Sequence, residues 1–169
     1  MAGKTPFRIA LMGAGRIGKV HGMNIHHHPD TVVHYVVDPH EASAKALADS
    51  VGATVAETDT VFTDDDVDAV VICSATPTHS DFIELGLLAG KAVFCEKPID
   101  LSIDRVNAVL EKTRDCTAPF LLGFNRRFDP AASSMHARVQ AGDIGDVELV
   151  TVISKDPEPP PLELSLIHI

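Results

Sequence analysis

The sequence predicts an α/β protein with a doubly wound parallel β-sheet that is covered by helices on both faces. Short apolar, β-rich segments alternate with helix-periodic ones, which is typical of repeated βαβ units. The segment 69–73 is apolar at every position, as expected for a strand with helices on both sides of its sheet. A Gly-x-Gly-x-x-Gly pattern, from Gly13 to Gly18, joins the first strand to the first helix. This pattern in this place predicts a dinucleotide-binding unit.

Six strands and five helices are expected along the chain. The predicted strands are 8–12, 32–37, a short strand near residue 54, 69–73, 92–95 and 120–123. The predicted helices begin at residue 16 and span 41–50, 78–89, 103–114 and 130–141. Thr78 is placed to cap the helix 78–89, and Gly90 is placed to end it. A further β-rich run, 147–155, precedes a proline-rich segment and predicts one more strand.

These elements suggest three regions. Residues 1–124 form the predicted dinucleotide-binding domain, and residues 125–163 form a linker helix and the first strand of a truncated second α/β domain. Residues 164–169 correspond to one reading frame of a common sequencing adapter, so we expect a non-native tail. The alternative is a natural, slightly apolar terminus.

Composition excludes several classes of protein. The 169 residues include 14 Lys+Arg and 24 Asp+Glu, which gives a formal net charge of −10, and 45% of the residues are hydrophobic. The chain is too apolar for a disordered protein, and its acidity argues against nucleic acid or an anionic membrane as a partner. No apolar run of about 18 residues is present that would span a bilayer.

The cysteines and the histidine run do not predict a metal site. Cys73, Cys95 and Cys116 are widely spaced and include no Cys-x-x-Cys pair, which suits reduced core thiols in a cytoplasmic protein. The consecutive residues 26–28, all histidine, point in different directions around a helix, so we expect a polar helix end. The acidic run 64–66 is expected to be a solvated turn before the fourth strand, without calcium.

Each glycine of the first motif has a predicted physical role. Gly13 permits a tight turn, Gly15 lets the backbone approach a pyrophosphate, and Gly18 lets the helix pack closely on the strand. Asp38 ends the second strand 20 residues after Gly18, where an acid can accept hydrogen bonds from both ribose hydroxyls of NAD. A methyltransferase-type nucleotide site and a purely structural glycine turn are the alternatives.

Asp38 also predicts which dinucleotide is preferred. A carboxylate about 4 Å from the 2′-phosphate of NADP would be repelled by about 4 kcal/mol at an effective dielectric constant near 20. NAD is therefore the expected cofactor, although Arg16 and His40 could offset part of this repulsion. The alternative for Asp38 is a loop acid that caps the next helix.

Three further motifs lie where later strands end, which is the edge at which open α/β sheets bind ligands. They are 74–79 (Ser-Ala-Thr-Pro-Thr-His), 95–98 (Cys-Glu-Lys-Pro) and 123–130 (Gly-Phe-Asn-Arg-Arg-Phe-Asp-Pro). Together with the glycine motif, Asp38 and Ser-Lys-Asp-Pro at 154–157, they make the sequence resemble the Gfo/Idh/MocA family of oxidoreductases, and within it the inositol dehydrogenases. The resemblance spans residues 7–161. It implies a Rossmann domain followed by a domain whose open sheet carries substrate contacts and the interfaces of a dimer or tetramer.

The resemblance implies roles for individual residues. Lys97 would be the catalytic residue, buried beside the nicotinamide and hydrogen-bonded to the substrate hydroxyl, and Glu96 would orient the nicotinamide ribose. Pro98 would fix the turn, with a cis bond as one option, and Arg127 would form a structural ion pair. Further implied cofactor contacts are Arg16, Ile17, Ala75, Thr76, His79, Asn125 and Arg126. Arg126 and Asp156 would also contact substrate.

One departure from the family pattern limits the expected activity. The family's acid/base histidine lies in an Asp-x-x-x-His motif downstream of the Lys-Asp-Pro stretch, and no such motif follows Pro161. The implied function of the parent is NAD-dependent oxidation of a polyol ring hydroxyl, as in myo-inositol to the 2-keto-inositol. The 169-residue chain itself is expected to be nearly inactive. The alternative is a non-catalytic NAD-binding sensor of the same family.

Overall fold

The computed structural model describes residues 5–153 and 155, and within them six strands form one all-parallel sheet. Its order is β3-β2-β1-β4-β5-β6, so the strand order reverses between the two central strands, β1 and β4. Such a reversal is the position at which doubly wound sheets open a crevice for a ligand. The strands are β1 (Phe7–Met12), β2 (Thr31–Val37), β3 (Thr54–Val55), β4 (Ala69–Ile72), β5 (Ala92–Cys95) and β6 (Phe120–Leu122). The predicted fold class is confirmed for this sheet.

Helices connect the strands. They are α1 (Arg16–His27), α2 (Glu41–Val51), α3 (Thr58–Thr63), α4 (His79–Leu88), α5 (Ile103–Lys112) and α6 (Pro130–Gln140). The sequence did not predict α3, because six residues are too few to show a helical period. The prediction for Thr78 was also wrong in detail. Its hydroxyl donates to the carbonyl of Ala75 at 2.8 Å and makes no capping bond to α4. Gly90 follows α4 with φ +73°, as a helix-ending glycine should.

Alternate residues of the central strands enter two separate cores. Ala10 and Met12 pack on one face with side chains from α3, α4 and α5, whereas Ile9 and Leu11 pack on the other with side chains from α2. This alternation is the period of two that a strand imposes on its side chains. It explains why residues 9–12 of β1 and all of β4 are apolar at consecutive positions.

The acidic turn before β4 is anchored more firmly than the sequence predicted. The buried Lys91 ammonium donates to the carbonyl oxygens of Asp64 and Val67 at 2.6 and 3.0 Å. The Asp64 carboxylate accepts from the backbone N–H of Asp66 at 2.8 Å and from the Tyr35 hydroxyl at 2.9 Å. These hydrogen bonds hold the pKa of Asp64 below its usual range. Residues 64–66 are therefore a turn, but not a freely solvated one.

The chain divides after Gly123 into two compact units. The second unit contains a 3₁₀ turn, Asn125–Phe128, and α6, which begins at Pro130. The Asp129 side chain caps α6 by accepting from the Ala132 N–H at 2.9 Å. The predicted strand 147–155 is wrong over its described residues, 147–153 and 155, where no strand is present. No neighbouring strand pairs with this run, and an unpaired β-rich segment has no hydrogen-bond ladder to hold it. The predicted tail, 164–169, lies outside the described residues.

Candidate dinucleotide-binding site

The glycine loop between β1 and α1 is shaped by close backbone contacts. Gly13 has φ +105°, and a Cβ placed on it would lie 2.6 Å from the Cys73 carbonyl oxygen. A Cβ on Gly18 would lie 1.9 Å from the carbonyl oxygen of Gly13. At Gly15 a Cβ would meet nothing within 4 Å, so space is open in front of the first turn of α1. The backbone N–H groups of such a turn attract a phosphate, and the loop therefore fits a dinucleotide pyrophosphate.

Asp38 is held against this loop. One carboxylate oxygen accepts from the Ala14 N–H at 2.7 Å, and the other accepts from the His40 N–H at 2.8 Å. Each oxygen has a second lone pair, so the carboxylate can still accept ribose hydroxyls. The alternative that Asp38 caps the next helix is wrong, because the His40 ring caps α2 by accepting from the Ser43 N–H.

A cleft of about 730 Å³ opens at the carboxyl ends of β1, β2, β3 and β4. Its lining combines the glycine loop with apolar side chains and three acids. It is formed by Met12, Gly13, Val37, Asp38, Pro39, Glu41, Val55, Ala56, Glu57, Thr58, Ser74, Ala75, Thr78 and Phe82. No Lys or Arg is among these lining residues. The cleft is therefore acidic and matches a ligand that presents hydroxyls, rather than an additional phosphate, to this wall.

His79 is arranged differently from the predicted cofactor contact. Its side chain is 2% exposed, its Nδ1 lies 2.7 Å from the carbonyl oxygen of Pro98, and its Nε2 lies 3.0 Å from that of Ser74. Both ring nitrogens are thus occupied by main-chain oxygens, which leaves neither for a ligand. The residue instead connects the loop after β4 to the turn after β5. The sequence could not show this, because it gave no indication of the ring's burial.

The turn after β5 carries Glu96 and Lys97. Glu96 Oε1 lies 2.8 Å from Nε2 of His21 on α1. Lys97 is exposed and makes no hydrogen bond or ion pair with any residue that the structure describes. Its implied burial beside a bound cofactor stays a prediction. The Lys97–Pro98 bond is cis, as anticipated. The Lys97 ammonium is therefore available to a ligand at the carboxyl edge of the sheet.

The remaining predicted site residues come from several elements of the fold. Arg16 and Ile17 begin α1 and Thr76 begins a short 3₁₀ turn. Asn125 and Arg126 are exposed residues of the second unit, and their predicted ligand contacts stay predictions. Arg127 makes no ion pair within residues 5–153 and 155, so its predicted role is not observed there. Asp156 lies outside the described residues.

Sequence reasoning missed His21. It lies three residues after Gly18, so both face the sheet from one side of α1. That spacing was the signal in the sequence that could have identified His21.

No group of His, Cys, Asp and Glu suited to a metal ion was found in the described part of the chain. No helix there is long and apolar enough to cross a membrane.

Two thiols border this site and are poorly ionised. Burial, and then the charge of Glu96, raise the pKa of both Cys73 and Cys95 to about 12. The predicted role of these cysteines as unreactive, largely buried thiols agrees with this environment.

We therefore expect both thiols to resist alkylation in the native chain. At about pH 8 a thiol of this pKa is ionised to about one part in 10⁴, so iodoacetamide should label it far more slowly than in the urea-unfolded chain. The labelling rate of the native chain should rise about tenfold per pH unit, because the thiolate is the reacting form. Mass spectrometry of the labelled peptides measures this directly. Equal native and unfolded rates at Cys73 would contradict the assigned environment.

Comparison with known families agrees with the geometry. The model of the Gfo/Idh/MocA family, described as an oxidoreductase family with an NAD-binding Rossmann fold, matches residues 7–124. This chain belongs to the Gfo/Idh/MocA family. Its first unit is accordingly an NAD-binding Rossmann domain, and the methyltransferase alternative is wrong.

Relatives within the Gfo/Idh/MocA family include inositol dehydrogenases. The chain is 46% identical over 156 residues to the inositol 2-dehydrogenase of Rhizobium meliloti strain 1021, which covers 92% of the chain and 47% of that protein. It is 35% identical over 158 residues to the myo-inositol 2-dehydrogenase of Thermotoga maritima, with coverages of 92% and 47%. The crystal structure of scyllo-inositol dehydrogenase from Lactobacillus casei with bound NAD(H) and scyllo-inositol matches with a TM-score of 0.79 at 32% identity, covering 84% of this chain and 43% of that one. The chain thus spans about half the length of the curated relatives it matches.

Proposed function

We propose that this chain is the cofactor-binding part of an NAD-dependent oxidoreductase that oxidises a polyol ring hydroxyl, with myo-inositol and its 2-keto product as the favoured pair. The observation that carries the proposal is that Asp38, the glycine loop and Lys97 lie on the carboxyl edge of one parallel sheet. The names of the relatives support inositol as the substrate class. The dimer or tetramer implied by the family, and its cytoplasmic location, belong to the same proposal.

The proposal gives each group one task. The N–H groups at the start of α1 bind the pyrophosphate, and Asp38 accepts the hydroxyls of the adenosine ribose. NAD, when bound, supplies the acceptor for the hydride that leaves the substrate carbon. The Lys97 ammonium hydrogen-bonds the substrate hydroxyl and favours its ionised form electrostatically. A sensor without chemistry would have no use for an ammonium at this position, which favours the enzyme over the sensor.

The acidic cleft predicts selection of NAD over NADP. The intact chain should bind NADH about 100-fold more tightly than NADPH, because the 2′-phosphate of NADPH would face the Asp38 carboxylate. The variant Asp38→Asn removes that charge and keeps a carbonyl oxygen that can accept from the Ala14 N–H. It should lose about tenfold in NADH affinity and gain in NADPH affinity. Fluorescence titration with each of the two reduced cofactors measures the two dissociation constants.

A matched control is Glu57→Gln, which removes a charge from the same cleft without touching the glycine loop. It should change the ratio of NADH affinity to NADPH affinity less than Asp38→Asn does. Equal affinity of the intact chain for the two cofactors would contradict the assigned role of Asp38.

A further inference from the structure

His21 makes a side-chain contact that links α1 to the turn after β5. Its Nε2 lies 2.8 Å from Oε1 of Glu96, and the two side chains are 26% and 24% exposed. A carboxylate only accepts hydrogen bonds, so the ring must donate from Nε2. A hydrogen bond to a charged acceptor is among the stronger kinds in proteins. The contact therefore restricts the side-chain conformations open to Glu96.

The surroundings of the pair hold the imidazole in place. The His21 ring packs against Phe94 with centroids 5.1 Å apart and planes at 58°. Phe94 is held in turn by the end of β6, where a Cβ on Gly123 would come within 3.0 Å of its ring. The imidazole is thus oriented by the sheet that carries Glu96.

Only one oxygen of Glu96 is used by this contact. Oε1 accepts from His21, whereas Oε2 has no hydrogen-bond partner among the described residues. The charge of Glu96 also acts on its surroundings, since it contributes to the raised pKa of Cys73 and of Cys95. Glu96 therefore presents one fixed, unused acceptor at the carboxyl edge of the sheet.

We propose that His21 is a positioning residue for cofactor binding: by holding Oε1 of Glu96, it directs Oε2 towards the nicotinamide-side ribose of NAD(H). This inference rests on the proposed function and on the role that the family resemblance implies for Glu96, which is to orient that ribose. His21 itself touches no ligand. Its effect is confined to ligands that carry the second ribose, and it disappears when Glu96 is removed.

The experiment titrates the 169-residue chain with ADP, ADP-ribose and NADH, of which only the last two carry the second ribose. In His21→Leu, the affinities for ADP-ribose and NADH should fall about tenfold, while the affinity for ADP stays within about twofold. His21→Gln, whose amide can donate to the same carboxylate oxygen, should recover most of the loss. His27→Gln, an exposed position on the same helix, is the control and should match the unmodified chain.

A double-variant cycle tests whether His21 acts through Glu96. The variant His21→Leu/Glu96→Ala should bind NADH no more weakly than Glu96→Ala alone. A further loss in the double variant, or an equal loss of ADP affinity in His21→Leu, would assign His21 a general structural role and overturn the inference. Unchanged ADP-ribose affinity in both His21 variants would overturn it as well. Failure of the unmodified chain to bind any of the three ligands is a separate result, which would overturn the proposed function itself and the inference with it.

Discussion

Replacing Gly18 with alanine is expected to weaken NADH binding about 100-fold and to destabilise the first unit. The added Cβ would lie 1.9 Å from the carbonyl oxygen of Gly13, and this neighbour is backbone, which cannot rotate away. Overpacking that displaces backbone costs about 3 kcal/mol or more, and such a cost in the binding-competent loop lowers affinity by about 100-fold. Thermal unfolding and NADH titration of the same preparation measure the two effects.

Gly15→Ala is the matched control for this substitution. A Cβ at this position meets nothing within 4 Å, so the midpoint of thermal unfolding should stay close to that of the unmodified chain. NADH affinity should nevertheless fall, because the methyl group would occupy the space expected for the pyrophosphate. Unchanged NADH affinity in Gly15→Ala would show that the pyrophosphate does not approach this loop. Unchanged stability in Gly18→Ala would contradict the close packing of α1.

The 169-residue chain is expected to bind NADH yet to show almost no inositol dehydrogenase activity. It carries Lys97, but the Asp-x-x-x-His motif that contains the family's acid/base histidine does not follow Pro161. A missing acid/base group costs about 10²- to 10⁴-fold in rate, and loss of substrate positioning adds to this. We therefore expect kcat/KM for myo-inositol to be at least about 10⁴-fold below that of a full-length inositol dehydrogenase.

Formation of NADH from NAD and myo-inositol, followed by absorbance, measures this activity. The full-length Rhizobium meliloti relative serves as the positive control, and the Lys97→Met variant of this chain gives the background rate. A rate for the unmodified chain within about 100-fold of that relative would show that the 169 residues suffice for the chemistry and would contradict this expectation.

The sheet was predictable from sequence because its signals are local. Residues 9–12 and 69–73 are apolar at consecutive positions, and the glycine motif indicates where the first helix begins. The failures have equally physical causes. The helix α3 is too short to show a period. The run 147–155 has strand-forming residues, but its described residues pair with no neighbouring strand. A sequence pattern shows only which residues favour an extended backbone, whereas a strand also needs a neighbouring strand to pair with.

The candidate site was predictable where backbone geometry demands a residue type, and less so where tertiary contacts assign the role. Gly13 and Gly18 could be identified because no other residue fits their space. The link from His21 to Glu96, and that from His79 to Pro98, join segments distant in the chain. The two bonds from buried Lys91 to the turn before β4 are of the same kind. Only the folded structure brings such pairs together.

An NMR titration of the ¹⁵N-labelled chain with NADH shows whether the carboxyl edge of this sheet is an NAD-binding site. We expect saturable shifts in the backbone amides of Gly13 to Gly18, Asp38 and Ser74 to Thr78, with little response to NADPH at the same concentration. Absence of shifts at about 1 mM NADH, a concentration that detects even weak binding, would contradict it. Shifts confined to residues away from this edge would contradict it equally.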